Sequence, residues 1–270
     1  MDFTLKVYRQ LLETAIASGY TLTSYESYLT NTKKHQKAFI LRHDVDKLPL
    51  NSLKTAKLQA ELGVKGTYYF RVVKESFQPK VIEQIRDLGH EIGYHYEDMA
   101  ICKGDMEKAL EHFEFWLHKF RAFYPVKTIC MHGSPLSKWD NRLLWKTYDY
   151  KKYGILAEPY YDLDFNSMLY LTDTGRRWDG EKLSIRDKVS SSMNLSFHST
   201  SDIIDAFKVQ KMPELIMHNI HPQRWTDNRL LWFKELLLQN AKNTIKARMV
   251  KNQAVSFDQG SGTKNGPKAK

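Results

Sequence analysis

The chain has 270 residues, 42% hydrophobic and 13% aromatic, enough to bury a core of the size that a single β/α barrel needs. A formal net charge of +10 and a pI near 9.3 raise nucleic acid as a partner, yet the Lys and Arg are dispersed and no helix-turn-helix, RNA-binding or zinc-finger pattern organises them, so none is expected. Cys102 and Cys130 are too few for a disulfide framework and read as reduced, semi-buried thiols.

The opening run MDFTLKVYRQLLETAIASGY spaces its apolar residues as a helix does and interrupts them with Lys6, Arg9 and Glu13. It is neither a secretory h-region nor a spanning segment, so a cytoplasmic location is expected. Beyond it, short apolar runs rich in β-branched and aromatic residues alternate with longer amphipathic stretches. Strands are predicted near 38–43, 66–72, 91–95, 128–132, 154–157, 168–171 and 215–220, and helices over 50–62, 79–88, 105–123 and 228–250. The alternation predicts an α/β fold with parallel crossovers, in one domain over 1–255. No internal repeat is visible, and the polar, Gly-rich, basic stretch 256–270 is expected to be a disordered tail.

Chemistry concentrates where apolar strands end. In AFILRHDVDK a strand runs into His43, Asp44 and Asp46, and side chains at the carboxyl ends of strands converge on the ligand site of α/β folds. Two carboxylates there can divide labour, one binding a cation and the other accepting a proton from water. The next signal is GHEIGYHYED, where His95 is followed by Glu97 and Asp98. Imidazole with carboxylate oxygen is a favoured donor set for zinc and similar ions. ICMHGSP then ends a strand in His132, and PELIMHNIHPQRW ends one in His218 and His221, with Pro222 stopping the ladder and Trp225 just beyond. Between them LYLTDTGRRWDG sets Asp173, Arg176, Arg177 and Trp178 in a loop whose aromatic face and bidentate donors suit a sugar bearing an anionic group. Trp139 and His198 are further rim candidates.

These segments, in this order, resemble the polysaccharide deacetylase family, also called carbohydrate esterase family four, from about Ala38 to Trp225. There a strand ending in paired Asp residues precedes a segment of the form GHEIGxH, here Gly89 to His95. The resemblance implies a distorted barrel, usually of seven strands, that hydrolyses acetyl groups from N-acetylated sugars or acetylated glycans. It casts Asp44 as catalytic base, Asp46 and His95 as metal ligands, and a late His, either His218 or His221 with His221 preferred, as the acid that protonates the leaving group. His43, Asp173, Arg176, Trp178 and Trp225 are then the expected substrate contacts.

Two departures matter. Val45 separates the Asp residues, as in a deformylase-like branch that modifies lipid A, and Met99 stands where the second metal His is usual, four residues after the first. The third ligand is therefore expected from His132, or failing that from Glu97 or Asp98. The expected cofactor is a divalent metal, zinc first, with cobalt, nickel or manganese as alternatives. The expected substrate is an N-acetylated sugar or glycan intermediate of surface-polysaccharide or lipopolysaccharide assembly. A deformylase, an O-acetyl esterase and a carbohydrate-binding protein that lost its metal are the alternatives.

Overall fold

A computed structural model describes residues 1–31, 36–179, 189, 193 and 195–260, the side chains of 246–260 excepted. The first helix, α1 (Leu5–Ala17), starts where the Thr4 hydroxyl accepts from the Val7 N–H, and it buries Tyr8, Leu11, Leu12 and Ala15. Strand β1 (Thr21–Thr23) and helix α2 (Tyr25–Thr30) follow. Then strand and helix alternate through β2 (Ala38–Val45), α3 (Pro49–Glu61), β3 (Thr67–Phe70), α4 (Pro79–Asp87) and β4 (Glu91–Tyr96). Both α3 and α4 open on proline, whose missing N–H costs nothing in a first turn. The short α5 (Asp98–Ile101) leads into α6 (Met106–Arg121), capped by Asp105, and β5 (Ile129–Met131). Next come α7 (Leu144–Thr147), α8 (Pro159–Asp162) and β6 (Leu169–Thr172). Helix α9 (Thr200–Lys208), with a Ser199–Asp202 capping box, β7 (Leu215–Ile220) and α10 (Arg229–Gly260) complete the order.

Every strand pairing is parallel, in the order β5-β4-β3-β2-β7-β6, with β1 beside the first residues of β2. The sheet curls into a half-barrel around β2, which is buried along its whole length. The predicted strand 154–157 is a correction. Residues Tyr150–Tyr153 form a 3-10 turn closed by Gly154 at φ 70°, and Pro159 opens α8, which leaves room only for a single bridge between Ala157 and Thr128. The three-residue β1 escaped the sequence reading because it is too short to show alternation. Helix α10 runs to Gly260, five residues into the segment expected as tail, and 261–270 lies outside the described residues. Among the described residues no helix is long and apolar enough to cross a membrane.

Strand parity sorts the side chains. Outward-facing Phe39, Leu41, Ile216 and Ile220 pack with α1 and α9, whereas Val45, Tyr68, Phe70, Ile92 and Tyr94 pack with α4 and α6. Inward-facing Ile40, Tyr170 and Met217 fill the lower interior with Tyr25 and Phe165. Above that layer the interior turns polar, toward the carboxyl ends of the strands. Two glycines of the GHEIGYH segment serve this frame. Gly89, at φ 85°, turns the chain out of α4, and a Cβ at Gly93 would collide with the Tyr69 ring beside it.

Candidate metal centre

Four strands deliver the site because their inward residues continue past the apolar layer. β2 gives Arg42 and Asp44, and the Asp46 N–H donates to the Asp44 carbonyl at 3.1 Å in the turn that follows, bringing both carboxylates to one mouth. β4 gives His95, β5 leads into His132 and β7 into His221. The mouth opens into a cavity of about 820 Å³ lined by Asp44, Asp46, His95, His132 and His221 and, on one side, by α10.

Asp46 is the centre. His95 Nε2 lies 3.7 Å and His132 Nε2 3.5 Å from its Oδ1, while His221 Nε2 lies 3.9 Å from its Oδ2. Each imidazole is oriented from behind through Nδ1. His95 bonds the Cys130 carbonyl at 2.9 Å, His132 bonds Glu97 at 2.8 Å, and His221 bonds Asp173 at 2.6 Å. In His95 and His132 such a partner fixes the tautomer with the proton on Nδ1 and leaves the Nε2 lone pair for a ligand. Burial depresses the His95 pKa to about 4, so its imidazole is neutral near pH 7, as a ligand must be.

Asp46, His95 and His132 each offer an atom within 4.8 Å of the others, a group that can hold a metal ion. Asp46 Oδ1 is buried with no hydrogen-bond partner among the described residues, a costly arrangement unless an ion or water completes it. Two imidazoles and one carboxylate fit a divalent ion of the zinc kind. Asp44, His95 and Cys130 form a second such group, but its carboxylate is already occupied. Arg42 donates to Asp44 from Nε at 2.9 Å and Nη2 at 2.8 Å, and Asn219 Nδ2 adds a third bond at 3.0 Å. Burial works against the Asp44 charge, yet Arg42 and then His95 hold its carboxyl well below the ordinary range. The first group is therefore the better site.

Several residues expected at the mouth stand elsewhere. His43 faces outward from β2, its ring stacked 4.0 Å from Tyr68 and bonded to the Thr67 carbonyl, Tyr8 and Gln59. Asp98 also faces outward, toward α6, where it accepts from His112 at 2.5 Å and Tyr94 at 2.8 Å. His218 lies on the outer face of β7, packed against Tyr8, Phe39 and Trp178. Parity decides this one: Met217, Asn219 and His221 point in, so His218 must point out. Trp178 and Trp225 are core residues, donating to Thr200 at 2.9 Å and to Asp173 at 2.8 Å. Arg176 sits over the Trp232 ring and donates to the Trp232 carbonyl. Asp173 is fully buried and accepts from His221, Arg224 and Trp225, so it positions His221 instead of meeting a substrate. Trp139 packs against the Gly104 backbone, and His198 is exposed beside Asp179.

Glu97 lines the cavity, but its carboxylate is spanned by Arg71 at 2.7 and 2.8 Å and bonded to His132. The loop after His132 is braced by Asn141, which donates to the His132 carbonyl at 2.7 Å and to Ser134. Sequence reasoning missed Arg42, Arg71, Asn141 and Asn219. Arg42 alone carried a usable signal, since it precedes Asp44 by two residues and must share its face of the strand.

Fold and cluster together define an α/β half-barrel with an Asp-His-His group, able to hold a metal ion, at the carboxyl ends of its strands. No family model matches the chain, and no curated protein matches it.

The geometry separates the three candidates for third ligand. His132→Ala should weaken zinc or cobalt binding by more than about 100-fold, Glu97→Gln by about 10-fold to 100-fold through misorientation of His132, and Asp98→Asn not at all. Competitive chelator titration measures all three. Equal affinity in His132→Ala and the parent would remove His132 from the site.

Proposed function

We propose that the protein is a metal-dependent hydrolase that removes the acetyl group from an N-acetylated sugar, on a distorted barrel of the polysaccharide deacetylase kind. One observation carries the reading: three histidines, each tied behind through Nδ1, turn Nε2 toward Asp46 beside a second carboxylate, Asp44, at one strand-end mouth. A zinc or similar divalent ion held by Asp46, His95 and His132 would polarise the acyl oxygen and activate water for attack.

The remaining work falls to the chain's own groups. Asp44 takes the proton of the attacking water on a carboxylate oxygen, and Arg42 and Asn219 keep that carboxylate ionised and aimed. As the C–N bond breaks, His221 Nε2 gives a proton to the departing amine, leaving acetate and a free amino sugar. Burial and Arg224 lower the His221 pKa, but Asp173 outweighs them, and the net shift is upward, toward the protonated form an acid needs. The substrate class we favour is an intermediate of surface-glycan assembly.

Zinc-loaded or cobalt-loaded protein incubated with N-acetyl, N-formyl and O-acetyl amino sugars tests this. Acetate released together with a free amine is the expected result, reduced about 100-fold or more in His221→Ala and unchanged in the outward-facing His218→Leu. Formate, or acetate without amine, would move the reaction to a deformylase or an esterase. Protein that binds neither metal nor releases any product would instead be a carbohydrate-binding half-barrel.

A further inference from the structure

Helix α10 buries polar side chains against its own domain and leaves large apolar ones exposed. Its inward side carries the buried polar residues Glu235 and Gln239 and the partly buried Trp232, Leu236 and Asn243, the last donating from Nδ2 to the Gly175 carbonyl at 2.8 Å. Its outward side carries large apolar residues, Leu230 82% exposed, Leu237 69% and Phe233 54%, with the exposed polar Lys234, Asn240 and Thr244 among them. Positions 230, 233 and 237 share one helical face, and the exposed Leu231, Leu238 and Ile245 follow at seven-residue intervals along its edge. Soluble surfaces do not carry such a stripe without a use for it.

Two further observations say what covers it. The rim of the cavity carries exposed apolar residues as well, Leu136, Ile101 and Ile245, beside the charged Lys47, Glu75 and Lys242. The helix is also basic: residues 229–260 contain Arg229, Lys234, Lys242, Lys246, Arg248 and Lys251 against two acidic residues, Glu235 and Asp258. Glu235 is buried and paired with Lys47 at 2.9 Å, so it offsets little of that charge at the surface.

We infer that α10 and the rim of the mouth dock the protein on an anionic lipid surface, with the helix lying in the interface and the cavity opening toward the headgroups. Leucines and phenylalanine beside Lys and Arg on one helix are what such a surface selects, the apolar side chains entering the acyl boundary and the cations meeting lipid phosphates. A second copy of the chain fits less well. It would set two basic helices against each other and lie across the rim of the mouth. Docking stands independently of the deacetylase reading; only its corollary, that the acylated sugar is presented on a lipid, rests on that reading.

The full-length protein is floated with vesicles of phosphatidylcholine alone and of equal parts phosphatidylcholine and phosphatidylglycerol. Binding is expected only to the anionic vesicles, weakened by salt, and reduced about tenfold or more by the double change Phe233→Ser and Leu237→Ser. Metal affinity, read on the same double variant, should equal that of the parent and so report an intact half-barrel. Absence of flotation with anionic vesicles, or undiminished flotation of the double variant, would overturn the docking surface. So would a stable dimer that the double change dissociates while vesicle binding is absent, since a second copy would then own the face. Because flotation is read without turnover, a failed deacetylase assay leaves this result standing, and a failed flotation leaves that assay standing.

Discussion

Asp46→Ala should bind zinc or cobalt more than about 100-fold more weakly than the parent, because two imidazoles alone make an incomplete site and zinc centres ordinarily take three or more protein ligands. Turnover should disappear with the metal. The fold should remain, for the Asp46 carboxylate gives the rest of the chain little: its one side-chain hydrogen bond among the described residues is a long one from Gln223, at 3.3 Å. Burial disfavours its charge, but the facing imidazoles of His132, His221 and His95 outweigh it and hold its carboxyl below the ordinary range, so at neutral pH a carboxylate faces the ligand position. A stability change within about 1 kcal/mol is the expectation for losing such a group. Metal titration and thermal unfolding of the apo forms check both halves. Full metal stoichiometry with unchanged affinity in Asp46→Ala would place the ion elsewhere.

How much of this was legible in the sequence depends on what each signal encodes. Strand 215–220 was read to the residue, because a short segment opening on the apolar triad Leu215-Ile216-Met217 between Pro213 and Pro222 has few other ways to fold. The 154–157 segment failed because its apolar composition says nothing of the helical turns that crowd both its ends. Strand-end histidines and carboxylates were found because chemistry there is local. Their division into ligands, orienting groups and outward-facing residues was not, since it needs the parity of each strand and the identity of its neighbours. Asp98 shows the difference: it follows His95 by three residues, yet the chain enters α5 at that point and carries it toward His112. The helix read over 228–250 is there as α10, but which of its sides faces the mouth escaped, for a related reason. Its sequence reads as an ordinary apolar helix, and only its docking shows that the polar side faces in.

Asp44→Asn should lose turnover by about 100-fold or more while keeping its metal, since an amide cannot take the proton of water. The structure adds a cost that side-chain shape alone conceals. Asp44 accepts from Arg42 Nε, Arg42 Nη2 and Asn219 Nδ2 with two oxygens, and an Asn has one oxygen and a donor in the other position. One of those three donors must then face an NH2 group. The Arg42 guanidinium, buried with its partner at side-chain exposures of 1% and 4%, also loses its counter-charge. Removing one member of such a pair costs about 3 to 5 kcal/mol, because the charge left behind remains desolvated. Tyr160 and Tyr170, whose rings lie near the guanidinium, soften that loss without replacing a carboxylate. The stability difference should also depend on pH in one direction. The Asp44 pKa is lowered by folding, so its contribution is fully present above its ordinary value of 3.8 and is lost as pH falls through the folded value below that. Parent and variant should therefore differ by a constant amount at neutral pH and converge in strong acid. Denaturant titration across that range, with metal content and turnover measured on the folded variant, separates the roles. Lost turnover with intact metal and full folding assigns Asp44 to the proton; near-normal turnover would make it a structural anchor for Arg42 and move the base elsewhere at the mouth.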